Sequence, residues 1–182
     1  MKALSKGLWI PITVLLSIFM LWACATVPKA SPGLYVNKDL RFFIKYPENW
    51  QPQKLQTKDE VLRVANPNMY KIPVLNVNIA DKTKGAQLKD AAKGWIDSAK
   101  KNFPKAKRFK VFSQEMIKLE DGTPAAAFTL KWTWIDGQTK LQSASVMAYK
   151  KNKVVSATAT TVLGGQTTPD KLLAICKTLK FY

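Results

Sequence analysis

Two Asp-Gly pairs, Asp121-Gly122 and Asp136-Gly137, constrain the fold of this chain more than any other feature. Glycine takes positive φ without steric cost. Asp-Gly between alternating apolar and polar runs is therefore a strong hairpin signal, predicted here as type I′ turns. The segments KVFSQEMIKL, AAAFTLKWTWI, KLQSASVMAY and VVSATATTV read as four antiparallel strands, the last joined through the weaker signal Lys151-Asn152. A chain with this middle must build an antiparallel sheet and then cover it.

The flanks supply more strands and the cover. In LRFFIKYPENW, Leu40, Phe42, Ile44 and Tyr46 alternate with Arg41, Phe43 and Lys45, and Pro47 stops the strand because proline cannot donate to a ladder. VLRVAN (61–66) and IPVLNVNIA (72–80) read as two further strands. Over residues 86–103, Leu88, Ala91, Ala92, Trp95, Ile96, Ala99 and Phe103 recur at helical spacing, with Pro104 beyond them. A last helix is predicted from Thr168 or Pro169 to about Leu179, turning Leu172, Leu173, Ile175 and Cys176 inward. Strands and helices are segregated rather than alternating, which gives an α+β domain with an antiparallel sheet.

The stretch FFIKYPENW, Phe42 to Trp50, resembles the opening signature of the PsbP-like superfamily, and the order of elements over 34–182 is similar to that group as well. The superfamily includes a photosystem II extrinsic protein, a Ran-binding import factor and many bacterial lipoproteins. The resemblance implies an α/β/α sandwich, an antiparallel β-sheet flanked by helices. Its motif is structural and transfers no catalytic residue.

The N-terminus carries an address. MKALSKG brings two lysines and no acid, and residues 8–23 are a sixteen-residue apolar run. That pattern is an export signal. A spanning helix needs about 20 residues, a length reached only by extending the run through Val27, which leaves an uncleaved anchor as the alternative. Leu21, Trp22, Ala23 and Cys24 resemble a bacterial lipobox, although Trp22 replaces the commoner small residue. The resemblance implies that the Cys24 thiol accepts lipid and that the chain is cut before it. Two or three acyl chains would hold the protein firmly on a membrane, since one gives only marginal binding. The expected organisation is signal peptide 1–23, lipidated cysteine and proline-rich tether 24–33, and domain 34–182. Ala25 resembles outer-membrane sorting, so the expected place is the cell envelope, on the periplasmic face of the outer membrane in a host with two membranes.

Composition narrows the chemistry. The chain has no histidine, which excludes His-based triads, general bases and metal sites. No cofactor, no metal and no enzymatic activity are expected. Net charge is +17, yet arginine occurs only at Arg41, Arg63 and Arg108. Lysine is a hydrated point charge rather than a bidentate fork, so no specific nucleic-acid partner is expected. Cys176 falls on the apolar face of the last helix and reads as a packing residue.

Four sets of residues remain as candidates. Lys100, Lys101, Lys105, Lys107, Arg108 and Lys110 form a basic stretch that suits anionic lipid headgroups or a solvated edge. Trp132 and Trp134 share a strand face with Phe128 and Leu130; with Trp95 they line a cleft between helix 86–103 and the sheet or serve as core. Asn76 and Asn78 oppose Leu75, Val77 and Ile79, which places them, near Asn66 and Asn68, on a polar cleft or a solvated face. The adjacent carboxylates Asp59-Glu60 and Glu120-Asp121 point to opposite faces or belong to a turn, so neither is an acid/base pair. The reading is a membrane-anchored, non-catalytic binding or assembly module, partnered by the membrane through its acyl chains and by an envelope protein. The alternative is a carrier of a small or lipidic ligand.

Overall fold

The structure, a computed structural model, describes residues 32–68 and 72–182. The predicted signal peptide, the lipobox residues Leu21, Trp22 and Ala23, and Cys24 lie outside the described residues.

The chain forms β1 (Leu34–Asn37), β2 (Phe42–Lys45), β3 (Gln51–Pro52), β4 (Glu60–Ala65) and β5 (Val74–Asp81). A 3-10 turn (Leu88–Asp90) leads into α1 (Ala91–Asn102). The meander β6 (Lys107–Lys118), β7 (Pro124–Thr133), β8 (Lys140–Lys150) and β9 (Lys153–Val162) follows, then α2 (Pro169–Cys176) and β10 (Lys180–Phe181). Seven strands make one antiparallel sheet in the order β3-β4-β5-β9-β8-β7-β6, and β1-β2-β10 make a second, small sheet.

Two details of the meander differ from expectation. In both Asp-Gly turns only the glycine takes positive φ, Gly122 at 83° and Gly137 at 74°. The loops are longer than two-residue type I′ turns, with three residues in the first and four in the second: Leu119 donates to the Thr123 carbonyl, and Trp134 to that of Thr139. Each aspartate closes its own loop instead, Asp121 accepting the Thr123 N–H and Asp136 those of Gln138 and Thr139.

The predicted α/β/α sandwich is corrected. Strand takes 47% of the described residues against 16% for helix, and the fold is β-rich. One face of the large sheet is covered by α2 together with the small sheet, not by a helical layer. The chain after Cys176 explains why. Helix α2 stops there rather than at Leu179, because Thr178 Oγ1 accepts the Lys45 N–H at 2.9 Å and turns Lys180 and Phe181 into register with Phe43 and Phe42. Strand β1 pairs on the other side of β2, Tyr35 opposite Ile44.

Beneath this cover lies the main core. Phe42, Ile44, Leu62, Val64, Leu75, Val77, Val146, Val155, Leu172 and Leu179 are fully buried. Each such side chain contributes about 1.5–3 kcal/mol by leaving water. The small residues Ala144, Ala157 and Ala159 let α2 approach closely enough for the Cys176 thiol to donate to the Ala144 carbonyl at 3.4 Å. Burial pushes the Cys176 pKa up to about 12, so the thiol is a packing group, as expected.

Candidate functional site

The second face of the large sheet is built from the alternate residues of the same strands. In β5, Asn76 and Asn78 take this face while Leu75 and Val77 take the core. Ser156 and Thr158 do so in β9, and Ser143 and Ser145 in β8, each next to a core alanine or valine. Register lines these residues up across the strands. One row runs Arg63, Asn76, Thr158, Ser145, Phe128, and the next runs Glu60, Asn78, Ser156, Met147, Ala126. Each row passes from charged at β4 to apolar at β7.

Helix α1 covers only the apolar end of these rows. It packs on β6 and β7 through a second cluster that holds Ala91, Ala92, Phe128, Leu130 and Trp132, with Leu88, Trp95, Phe103, Phe109 and Trp134 against it. Gln114 of β6 fixes the start of the helix: its side chain accepts the Ala92 N–H and donates to the Lys89 carbonyl. Over β9, β5 and β4 the floor stays open. The result is a groove of about 830 Å³ between α1 and the sheet.

One wall of the groove is aromatic. Trp95 and Trp132 meet edge-on at 6.0 Å, Trp132 and Trp134 at 5.4 Å, and Phe103 lies 5.2 Å from Trp134. Phe109 stacks behind Trp132 at 5.6 Å. Polar tips tie this wall to the floor. Trp95 Nε1 donates to Thr158 Oγ1 at 3.2 Å, and Trp132 Nε1 to Ser143 Oγ at 3.0 Å. Ser145 shares a hydrogen bond with Thr158, and Ser143 with Thr160. These contacts preorganise the wall, because buried indole N–H groups demand partners.

The other wall is polar. Arg63 reaches Glu60 at 3.1 Å, and Glu60, almost fully buried, also accepts the Gln56 N–H. A β-bulge between Glu60 and Leu62 turns Glu60 and Arg63 onto one face. Asn76 and Asn78 are half-buried, and their amides bond to no other described residue. Tyr149, at one end of the floor, has its pKa raised by burial and then by the charge of Asp90.

The sequence candidates separate cleanly. Trp95, Trp132 and Trp134 come together, placed both in the second core cluster and along the groove wall. Asn76 and Asn78 line the floor, whereas Asn66 and Asn68 are outside it, Asn68 accepting the Ile72 N–H. Lys100, Lys101, Lys105, Lys107, Arg108 and Lys110 are all exposed along the end of α1 and the start of β6, outside the groove. Lys100 lies over the Phe109 ring at 6.0 Å and Lys110 over the half-exposed Phe112 at 5.2 Å. The Glu120-Asp121 pair is structural. Glu120 holds Lys180 at 2.8 Å, and Asp121 accepts the Phe181 N–H at 2.8 Å, which pins β10. Glu60, Arg63, Ser156, Thr158 and Tyr149 carried no readable signal, since only the bulge and the register bring them together.

No protein-family profile and no curated protein sequence match the chain. Solved structures do. Cyanobacterial PsbP (CyanoP) from Synechocystis aligns with a TM-score of 0.65 at 13% identity, covering 90% of this chain and 99% of its own. A Bacteroides thetaiotaomicron protein aligns with a TM-score of 0.51 at 13% identity, covering 84% of this chain and 49% of its own. At these identities the likeness concerns the fold alone, and the fold of the described domain is that of PsbP.

Proposed function

We propose that the chain is an exported, lipid-anchored and non-catalytic binding module, and that it carries a ligand in the groove between α1 and the sheet. The observation that carries this reading is the groove itself. A preformed cleft with an apolar aromatic wall and a few convergent polar groups is the usual form of a small-molecule site. Its amides at Asn76 and Asn78 are without protein partners among the described residues and are free to bond a guest.

The anchor rests on Leu21, Trp22, Ala23 and Cys24. The basic edge from Lys100 to Lys110 then suits the anionic headgroups of the membrane that holds the chain, an attraction worth about 1 kcal/mol per lysine near the surface. In this arrangement the lipid fixes the protein at the bilayer and the edge orients it.

Two experiments test the reading. Titration with the neutral dye 1-N-phenylnaphthylamine, followed by energy transfer from tryptophan, should show saturable single-site binding. Linear uptake without saturation contradicts the groove as a site. The intact mass of detergent-extracted protein should match a chain beginning at Cys24 plus acyl chains, and a full-length unlipidated mass contradicts the anchor.

A further inference from the structure

The groove differs in charge from the rest of the molecule. The chain carries +17, but four of its acidic residues, Asp59, Glu60, Asp90 and Asp97, line the groove against two basic ones, Arg63 and Lys93. Both basic residues are already used. Arg63 pairs with Glu60 at 3.1 Å, and Lys93 with Asp97 at 2.7 Å. Asp59 and Asp90 have no ion-pair partner among the described residues. The lining is therefore left with negative charge inside a strongly positive protein.

That charge has a place along the groove. The Asp59 carbonyl accepts the Ile79 N–H, which sets Asp59 beside Asn78 and Ala80. Asp90 acts electrostatically on Tyr149, whose row runs through Val154 to Ala80. Both acids thus belong to one end of the floor. The aromatic wall belongs to the other, where Val162, Leu141 and Trp132 form a row. Leu141 and Tyr149 lie eight positions apart along β8, a span of about 26 Å at a strand's rise per residue.

We infer that the groove takes an elongated amphiphile with a cationic head, an amine or quaternary ammonium, lying beside Asp59 and Asp90, and an apolar body against Trp95, Trp132 and Trp134. This inference rests on the proposed function and names the ligand class for that same groove. Anionic amphiphiles, which the surface lysines attract, are excluded from the site itself. Two unpaired carboxylates repel an anionic head, and both basic groups of the lining are neutralised in place. Lys82 lies over the Tyr149 ring at 4.3 Å, a cation at the same end that the two acids outnumber, and lysines farther off are screened over about 8 Å.

The test is displacement of bound phenylnaphthylamine from the full chain by three surfactants of equal chain length, each below its micelle concentration. These are an alkyltrimethylammonium, an alkyl maltoside and an alkyl sulfate. Far-UV circular dichroism checks that the fold persists. The cationic head should displace the dye at a concentration about tenfold lower than the sulfate, with the maltoside between them. In D59N/D90N, two exposed and isosteric changes, that preference should vanish while dye affinity stays. Equal or tighter displacement by the sulfate in the wild-type protein overturns the inference, as does a cationic preference that survives in D59N/D90N. Both results leave the groove standing as a site. Failure of the dye to bind saturably overturns the inference together with the proposed function.

Discussion

The two faces of the large sheet are written in the same strands and do different work. Leu75, Val77, Ala157 and Ala159 meet α2 and the small sheet in a sealed core. One position along, Asn76, Asn78, Ser156 and Thr158 floor a groove that α1 leaves partly open. Because strand side chains alternate with period two, one segment can specify a stability surface and a recognition surface independently. The comparison teaches that the open face is not a defect in packing. Its buried side-chain polar atoms are all satisfied among the described residues, and Trp132 and Trp95 are held by hydrogen bonds to Ser143 and Thr158.

Substitutions on the two faces should therefore separate stability from binding. The largest effect belongs to the sealed face. Phe42→Ala, at a fully buried ring that packs edge-on against Phe181, should cost about 3–5 kcal/mol in urea unfolding. A cost near zero would mean that the small sheet does not seal the core. Trp95→Phe keeps the aromatic ring stack but removes the bond to Thr158 Oγ1. It should cost about 1 kcal/mol of stability and weaken dye binding several-fold, since the ring edge defines the wall. Asn78→Ala should change stability by no more than about 0.5 kcal/mol, because its amide bonds to no described residue. Any effect should fall on binding.

Two smaller effects concern how the sealed side is closed. At Asp121 burial works against the carboxylate, but the bonds from Thr123 and Phe181 outweigh it and hold its pKa below the ordinary range. A lowered folded pKa means that this stabilisation is complete above the unfolded-state value and is lost as pH falls through the folded one. The melting-temperature gap between wild type and Asp121→Asn should thus be widest at neutral pH and narrow on acidification. A gap that widens in acid would refute the pinning role. Native Cys176 should resist iodoacetamide and react only on unfolding, read by peptide mapping, because its thiol is fully buried with a pKa of about 12.

How much of this was legible in the sequence follows from the range of each signal. The meander, the alternation of Asn76 and Asn78 and the tryptophan face are local patterns, and the structure places them as read. The layer covering the core was misread, because Leu34–Asn37 and Lys180–Phe181 become strands only by pairing with β2, far away in the chain. The extended last helix failed for the same reason, since Thr178 is captured by Lys45. The polar wall was hidden more deeply. Glu60 and Arg63 lie three apart, a spacing that puts strand residues on opposite faces, and only the bulge reunites them.

The central claim is that the open face is a ligand site rather than unfinished core. The most direct measurement is dye titration of Asn78→Trp beside wild type, with thermal unfolding followed on both proteins. A tryptophan at this half-buried floor position narrows the groove without entering the sealed core. Loss of saturable binding with an unchanged melting temperature is the predicted result. Undiminished binding in Asn78→Trp would place the site elsewhere and contradict the account.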